Sequence, residues 1–327
     1  MFSLNHYFDR VFVIHMEKDK ARETHIAKEF QKIHTNYEFS SGVIPTKEDR
    51  ERYTSSLCNY SCSQSMLGIY LAHRNIWEFV VKHNIPRVVI FEDDVSFTQD
   101  IFPTFPKAFQ ELPANWDLLY LGCMSCGDTY PFFYNFVRPK PIGKLPLTYY
   151  SEHLRIPYIT LGTEAYAISL EGAKKLLQYV PYATNHVDVM ITNHLSKLNC
   201  YLVYPRVAYQ YQEGIDSNNN TSAPVLLNTF FSNINITSDE LTKTTVSYAL
   251  SVPFAQVNND MILNVWCVCF FLGGYFRYIC ILLTSYLLLE YLYIRYIQQK
   301  EIHGYQYLLY LYFLWIGFGI HYVLVSS

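Results

Sequence analysis

The sequence predicts an α/β domain on a mostly parallel sheet, followed by C-terminal membrane helices. Three observations carry this. Short apolar runs of strand length alternate with amphipathic stretches of helical period through the first ~210 positions. One of those runs ends abruptly in three acids, Glu92-Asp93-Asp94. Charged residues become few from Val246 onward, where two long apolar segments stand.

The elements follow in order. Val11 to Ile14 reads as a buried strand and Lys18 to Ile33 as a helix, with Ala21, Ile26, Phe30 and Ile33 on a rough stripe. Ser65 to His83 is a stronger helix, with Ile69, His73, Ile76 and Val80 three or four apart and Pro86 after its end. Val88 to Phe91 and Asp117 to Leu121 are strand candidates, the second closed by Gly122. Tyr158 to Ser169 is strand-rich, Glu171 to Tyr179 and Val187 to Leu198 are helical, and Tyr201 to Tyr209 is β-prone. Thr129 to Arg155, with Pro131, Pro139, Pro141 and Pro146, is long enough for an active-site loop. Gly214 to Thr245 is rich in Asn, Ser and Thr and reads as a linker. The expected organisation is a catalytic domain over 1–213, a polar linker over 214–258 and a membrane-associated helical tail over 259–327.

Composition narrows the class. The 327 residues are 50% hydrophobic, with 30 Tyr and 22 Phe, which excludes a disordered chain. A net charge of -3 without a basic stripe argues against nucleic acid as a partner. Val11 to Ile14 is too short for the apolar core of a signal peptide. At the other end, Met261 to Ile294 is long enough to enter a bilayer, though it contains Arg277 and Glu290. Tyr305 to Val325 is near the ~20 residues a spanning helix needs and has no formal charge. The alternative is a helical pair packed on the soluble domain. The side of the membrane stays open. The apparent lack of a signal peptide favours the cytosol, whereas Arg295 and Lys300 favour a cytosolic loop and so a lumenal domain. Sequons at Asn59, Asn219, Asn220 and Asn235 are compatible with a lumenal site. Cys58, Cys62, Cys123 and Cys126 admit three states: free thiols, local disulfides or a four-thiolate zinc site.

The acidic triplet is the focus of the chemistry. A buried strand ending in three carboxylates needs relief from solvent, protons or a cation. In open α/β sheets ligands bind at the carboxyl ends of strands. Oxygen-only ligands there suit Mg or Mn, which can bridge two phosphates and stabilise a departing diphosphate. The alternative is an acidic loop or helix N-cap.

Five blocks in order sharpen this. Leu71-Ala72-His73-Arg74-Asn75-Ile76-Trp77-Glu78 and Val89-Ile90-Phe91-Glu92-Asp93-Asp94-Val95 resemble the core of family 25 glycosyltransferases, which include lipooligosaccharide and procollagen galactosyltransferases. Trp116 to Gly122, Gly162 to Leu177 and Val187-Asp188 resemble the next three blocks, so the likeness runs from about Val11 to Gln210. The resemblance implies a GT-A-like nucleotide-sugar-binding domain, a UDP-sugar donor, a divalent metal, Mn or Mg, and inversion at the anomeric carbon. The acceptor implied is a hydroxyl of a glycan or protein, and the sugar a hexose, galactose or glucose. By that analogy Asp94 ligates the metal, Glu92 faces the ribose or a metal-bound water, and Asp93 could do either.

An inverting transfer needs a base for the acceptor hydroxyl. Asp188 is the candidate, with His186 nearby; the alternative for Asp188 is a helix N-cap. Arg22 is either a diphosphate contact or a solvated helix charge. Gly162 and Thr163 line the donor pocket or permit a tight turn. His73 and Trp77, four apart, read as a buried histidine beside a core tryptophan. The chain departs from the family pattern at His15-Met16-Glu17-Lys18, where an Asn-Leu-Asp-Arg-like turn is usual, at Ala72 in place of Ser, and at Cys123 in place of a basic residue. These departures touch donor contacts and leave the metal motif intact. Two competing readings are an inactive, membrane-tethered glycan-binding homologue and a metal-dependent phosphohydrolase. The second needs a nucleophilic Asp with a downstream Lys, an order that cannot be placed here.

Overall fold

A computed structural model describes residues 2–62, 64–123, 126, 147–157, 159–211, 272–275, 277–297 and 304–326. The predicted linker, the sequons at Asn219, Asn220 and Asn235, and most of the proline-rich loop lie outside the described residues. The chain forms two compact units, one within residues 2–211 and one containing residues 272–326.

The first unit carries β1 (Arg10–His15), α1 (Lys20–Lys32), β2 (Glu38–Ser41), α2 (Lys47–Tyr53), α3 (Ser56–Ser61) and α4 (Gln64–Lys82). Then come β3 (Arg87–Glu92), β4 (Val95–Phe97), α5 (Ile101–Glu111), β5 (Leu118–Gly122), β6 (Leu147–Tyr149) and β7 (Leu154–Pro157). It closes with β8 (Ala165–Ser169), α6 (Leu170–Tyr179), α7 (Val187–His194), β9 (Cys200–Val203) and β10 (Ala208–Gln210). The main sheet has the order β2-β1-β3-β8-β5-β9-β7-β6, and β10 pairs with β4 in a small separate sheet.

The expected parallel character holds for strand direction and fails for several neighbours. Strands β2, β1, β3, β5, β9 and β6 run one way; β8 and β7 run the other. The reason is the connection. A parallel neighbour requires a crossover back to the starting edge, whereas a chain that re-enters from the edge where it left runs antiparallel. Strand β8 enters beside the carboxyl end of β3, with Phe91 opposite Ala165. That reversal places Gly162 to Glu164 against the acidic triplet.

Period-2 alternation splits the buried side chains between two faces. Val11, Val13, Val89, Phe91, Leu119 and Leu121 pack with Ile26 and Phe30 of α1 and Phe105 of α5 in one apolar core. On β8, Tyr166 projects to α4, where its hydroxyl meets Trp77 and His73. Gly122 permits a close crossing: a Cβ there would lie 2.0 Å from the Ala208 carbonyl oxygen. Cys58–Cys62 and Cys123–Cys126 are local disulfides, so the four cysteines do not form a four-thiolate site.

In the second unit, α8 (Arg277–Leu292) continues as a π-helical turn over Tyr293–Ile297, and α9 (Gly304–Ser326) follows. They pack through Cys280, Leu287, Tyr307, Tyr310 and Leu314. Glu290 is buried and accepts hydrogen bonds from Tyr307 Oη (2.7 Å) and Tyr286 Oη. Among the described residues, Tyr278–Ile297 is long and apolar enough to cross a membrane by length and composition; Tyr310–Leu324 is a shorter apolar stretch.

Candidate active site

The carboxyl end of β3 delivers Glu92, Asp93 and Asp94 into three different settings. Asp93 is buried and ion-paired: Arg22 donates to its Oδ1, and His15 Nδ1 lies 2.8 Å from Oδ2. Arg22 also donates to Asp94 Oδ2 at 3.3 Å. The first turn of α1 therefore aims a guanidinium at the triplet. Arg22 is a buried partner of acids here, not a solvated helix charge.

Glu92 Oε1 accepts the Thr163 hydroxyl at 2.6 Å and lies 3.7 Å from His73 Nε2. Burial alone would push the Glu92 carboxyl up; the neighbouring His73, the Thr163 hydroxyl and the Arg22 charge outweigh it and hold it below the usual range. The other face of His73 meets Tyr166 Oη at 3.0 Å, and Trp77 Nε1 donates to the same hydroxyl at 2.9 Å. His73 and Trp77 are thus buried, as expected, and they also support Glu92.

Asp94 is 5% exposed. Its Oδ2 accepts from Gln210 Nε2 at 3.1 Å, while its Oδ1 is buried with no hydrogen-bond partner among the described residues. Burial first, and then the Glu92 charge, push its carboxyl up to about 7, against Arg22 and Gln210. Glu164, at the entry to β8, repeats the pattern: Oε1 is buried without a hydrogen-bond partner among the described residues, and burial with the charges of Glu92 and Asp94, against its own backbone N–H and Arg206, raises its carboxyl well above the usual range. These orphaned carboxylate oxygens test the metal expectation on the chain's own terms. A hard divalent cation is the ligand that hard, anionic, oxygen-only groups fit, and Asp94 with Glu92 could hold one.

Asp188 lies in the first turn of α7, whose N-cap is His186, so the N-cap alternative does not hold. It is 5% exposed. Its Oδ2 accepts from Gly162 N (2.9 Å) and its Oδ1 from Val189 N (2.7 Å). Gly162 has φ 90°, in the region that favours glycine, so the tight turn and the Asp188 contact are one feature. Burial lowers the His186 pKa, partly offset by the Asp188 charge. Sequence reasoning missed Gln210 and offered Glu164 only as a fallback for the base. Gln210 stands on a short strand far along the chain, and only the β4–β10 pairing brings it to Asp94.

Comparison with known proteins places these residues in context. Residues 8–191 match the model of glycosyltransferase family 25 (LPS biosynthesis protein). The mouse inactive glycosyltransferase 25 family member 3 is 28% identical over 192 residues, covering 53% of this chain and 29% of the mouse protein. Procollagen galactosyltransferase 1-A of Xenopus laevis is 28% identical over 193 residues, with 53% and 29% covered. The lipooligosaccharide biosynthesis protein lic2B of Haemophilus influenzae is 24% identical over 213 residues, with 62% and 74% covered. The match therefore spans under a third of those animal relatives. Among solved structures, the galactosyltransferase LgtC with donor and acceptor sugar analogues aligns with a TM-score of 0.38 at 10% identity, over 68% of this chain and 94% of that one.

Proposed function

The chain belongs to glycosyltransferase family 25, and from that premise we propose that it is a metal-dependent, inverting hexosyltransferase. It moves galactose or glucose from a UDP-sugar to a hydroxyl of a glycan or protein acceptor. The observation that carries this is the buried Oδ1 of Asp94 at the carboxyl end of β3, which has no hydrogen-bond partner among the described residues. Asp94 and Glu92 hold Mn or Mg, which when bound neutralises charge growing on the departing diphosphate. Arg22, already charged and aimed at the triplet, adds donors suited to phosphate oxygens. Thr163 and Gly162 line the donor side, with Thr163 also fixing one Glu92 oxygen. Asp188 takes the acceptor proton. Its two backbone N–H donors hold the carboxylate in one orientation, as a base needs.

The second unit is read as the membrane tether. Tyr278, Ile281, Leu282, Leu289 and Leu324 are exposed on it, and lipid is the solvent that suits so many outward apolar side chains. The catalytic domain spans 1–213 and the polar linker 214–258.

One observation favours a second reading, an inactive glycan-binding homologue. Arg22 and His15 both engage Asp93, so the protein itself neutralises one of the three acids. Turnover of UDP-galactose and UDP-glucose by the full chain with Mn separates the two. Donor hydrolysis or transfer above background supports the enzyme; binding of UDP-sugar without turnover of either donor supports the homologue.

A further inference from the structure

A row of buried polar side chains on the α4 side of the sheet ends at Glu92. His73 and Trp77 stand four apart on one face of α4. Tyr166 lies on β8 opposite Ile90, and Glu92 is two residues further along β3, so Tyr166 and Glu92 project to the same face. Trp77 Nε1 donates to Tyr166 Oη at 2.9 Å, and Tyr166 Oη lies 3.0 Å from His73 Nδ1. The other ring nitrogen, His73 Nε2, faces Glu92 Oε1 at 3.7 Å. His73, Trp77 and Tyr166 are fully buried, so water does not compete for these groups.

Counting hydrogens gives the row a direction. A tyrosine hydroxyl carries one hydrogen, and a neutral imidazole carries one N–H on either nitrogen. Trp77 can only donate, so Tyr166 Oη accepts from it. Among the described residues, His73 Nδ1 is then the acceptor within reach of the Tyr166 O–H. A proton on Nδ1 would leave that buried O–H without an acceptor among the described residues, at a cost a folded protein avoids. In the neutral ring it would also turn the Nε2 lone pair toward the Glu92 carboxylate. With Nδ1 bare, the N–H stands on Nε2 and points at Glu92 Oε1.

Thr163 donates its hydroxyl to the same Glu92 oxygen at 2.6 Å. Both neighbours therefore act on Oε1 and turn it into the protein. The Glu92 side chain still keeps 26% of its surface exposed, against 7% for Asp93 and Asp94. Its Oε2 is the oxygen left for a ligand, and an acceptor-only oxygen suits an O–H donor such as a ribose hydroxyl.

We propose that Trp77 and Tyr166 hold His73 in the tautomer with its proton on Nε2, and that His73 in turn holds one orientation of Glu92. Tyr166 and His73 are then positioning residues for UDP-sugar binding. The inference rests on the UDP-sugar reading above and does not depend on which acids hold the metal.

The test uses the full chain in detergent and has two readouts. Nitrogen NMR of isotope-labelled histidine reads the tautomer in chelator at neutral pH, the His73 signals being those lost in His73→Gln. The expected state is a protonated Nε2 and a bare Nδ1. A proton on Nδ1 overturns the inference. Calorimetry then gives the affinity for UDP-galactose and UDP-glucose with Mn, beside the melting temperature in chelator. Tyr166→Phe keeps the ring and loses the hydroxyl, and should weaken UDP-sugar binding about tenfold, the usual cost of losing an outer partner of a site. His73→Leu should do the same. His73→Gln offers an acceptor and an N–H in place of the imidazole and should bind more tightly than His73→Leu. Binding by Tyr166→Phe and His73→Leu within about twofold of wild type, with lowered melting temperatures, would make the row a packing feature and overturn the positioning role. So would His73→Gln no better than His73→Leu. A wild type that neither binds nor turns over either UDP-sugar defeats the UDP-sugar reading itself, and the positioning role falls with it whatever the tautomer.

Discussion

Both units bury carboxylates, and they treat them in opposite ways. In the helical pair, Glu290 is 4% exposed and receives hydroxyls from Tyr286 and Tyr307. At the carboxyl end of β3 and the entry to β8, Asp94 and Glu164 are buried to the same degree, yet each keeps an oxygen without a donor among the described residues. A buried acid whose oxygens are met by protein hydroxyls closes a structure. A buried acid whose oxygen is met by nothing in the protein is suited to a ligand. Burial alone therefore does not distinguish a packing residue from a site residue; the state of each oxygen does.

The largest effect that could break this contrast is at Asp94. Asp94→Asn should reduce transfer to background while the melting temperature in chelator stays at or above the wild-type value, since an amide is a poor ligand for a hard cation. Retained transfer would place Asp94 with Glu290, as a structural acid. Next comes Asp188. Asp188→Asn should bind UDP-sugar with Mn as wild type does and lose ~10²–10⁴-fold in rate, the usual cost of a catalytic base. An active, stable Asp188→Asn enzyme would reduce Asp188 to the residue that holds the Gly162 turn and direct attention to His186.

Smaller effects belong to the helical pair. Glu290→Ala strands two tyrosine hydroxyls and should cost the pair ~1–3 kcal/mol, read as a lower melting temperature in detergent, with UDP-sugar turnover unchanged. No stability change would mean that the tyrosines find other partners. The smallest effect expected is from deletion after about Val257. It should yield a protein that no longer fractionates with membranes and keeps its turnover, whereas the full chain should resist salt and alkaline extraction. Release of the full chain by salt alone would contradict a membrane-embedded tail.

The strands and helices with strong periodicity were legible in the sequence. Val88 to Phe91 and Ser65 to His83 needed no tertiary information, because the first is apolar throughout and buried on both faces and the second carries an apolar stripe at helical spacing. Helix α5 was not read, since Pro103 and Pro106 argue against a helix and tertiary packing of Ile101 and Phe105 overrides them. The antiparallel entry of β8 was also invisible. Its sequence is apolar enough for either direction, and the excursion before it fixes the choice. That one topological fact explains why the triplet and the Gly162-Thr163 block were legible as motifs while Glu164's place opposite Glu92 was not. Glu164 differs from a surface glutamate only through its neighbour across the strand. Likewise, Arg22 read equally well as a solvated charge or a ligand contact; the fold resolves this by setting it against Asp93.

The most direct test of the central claim is the dependence of UDP-sugar turnover on metal in the purified full chain. Donor hydrolysis or transfer from UDP-galactose and UDP-glucose is measured in excess chelator and again as Mn is restored. The account predicts no turnover in chelator and recovery with Mn, saturating as the cation binds. Full turnover in chelator would contradict it, because Asp94 and its neighbours would then be acting without the cation that their unpartnered oxygens call for.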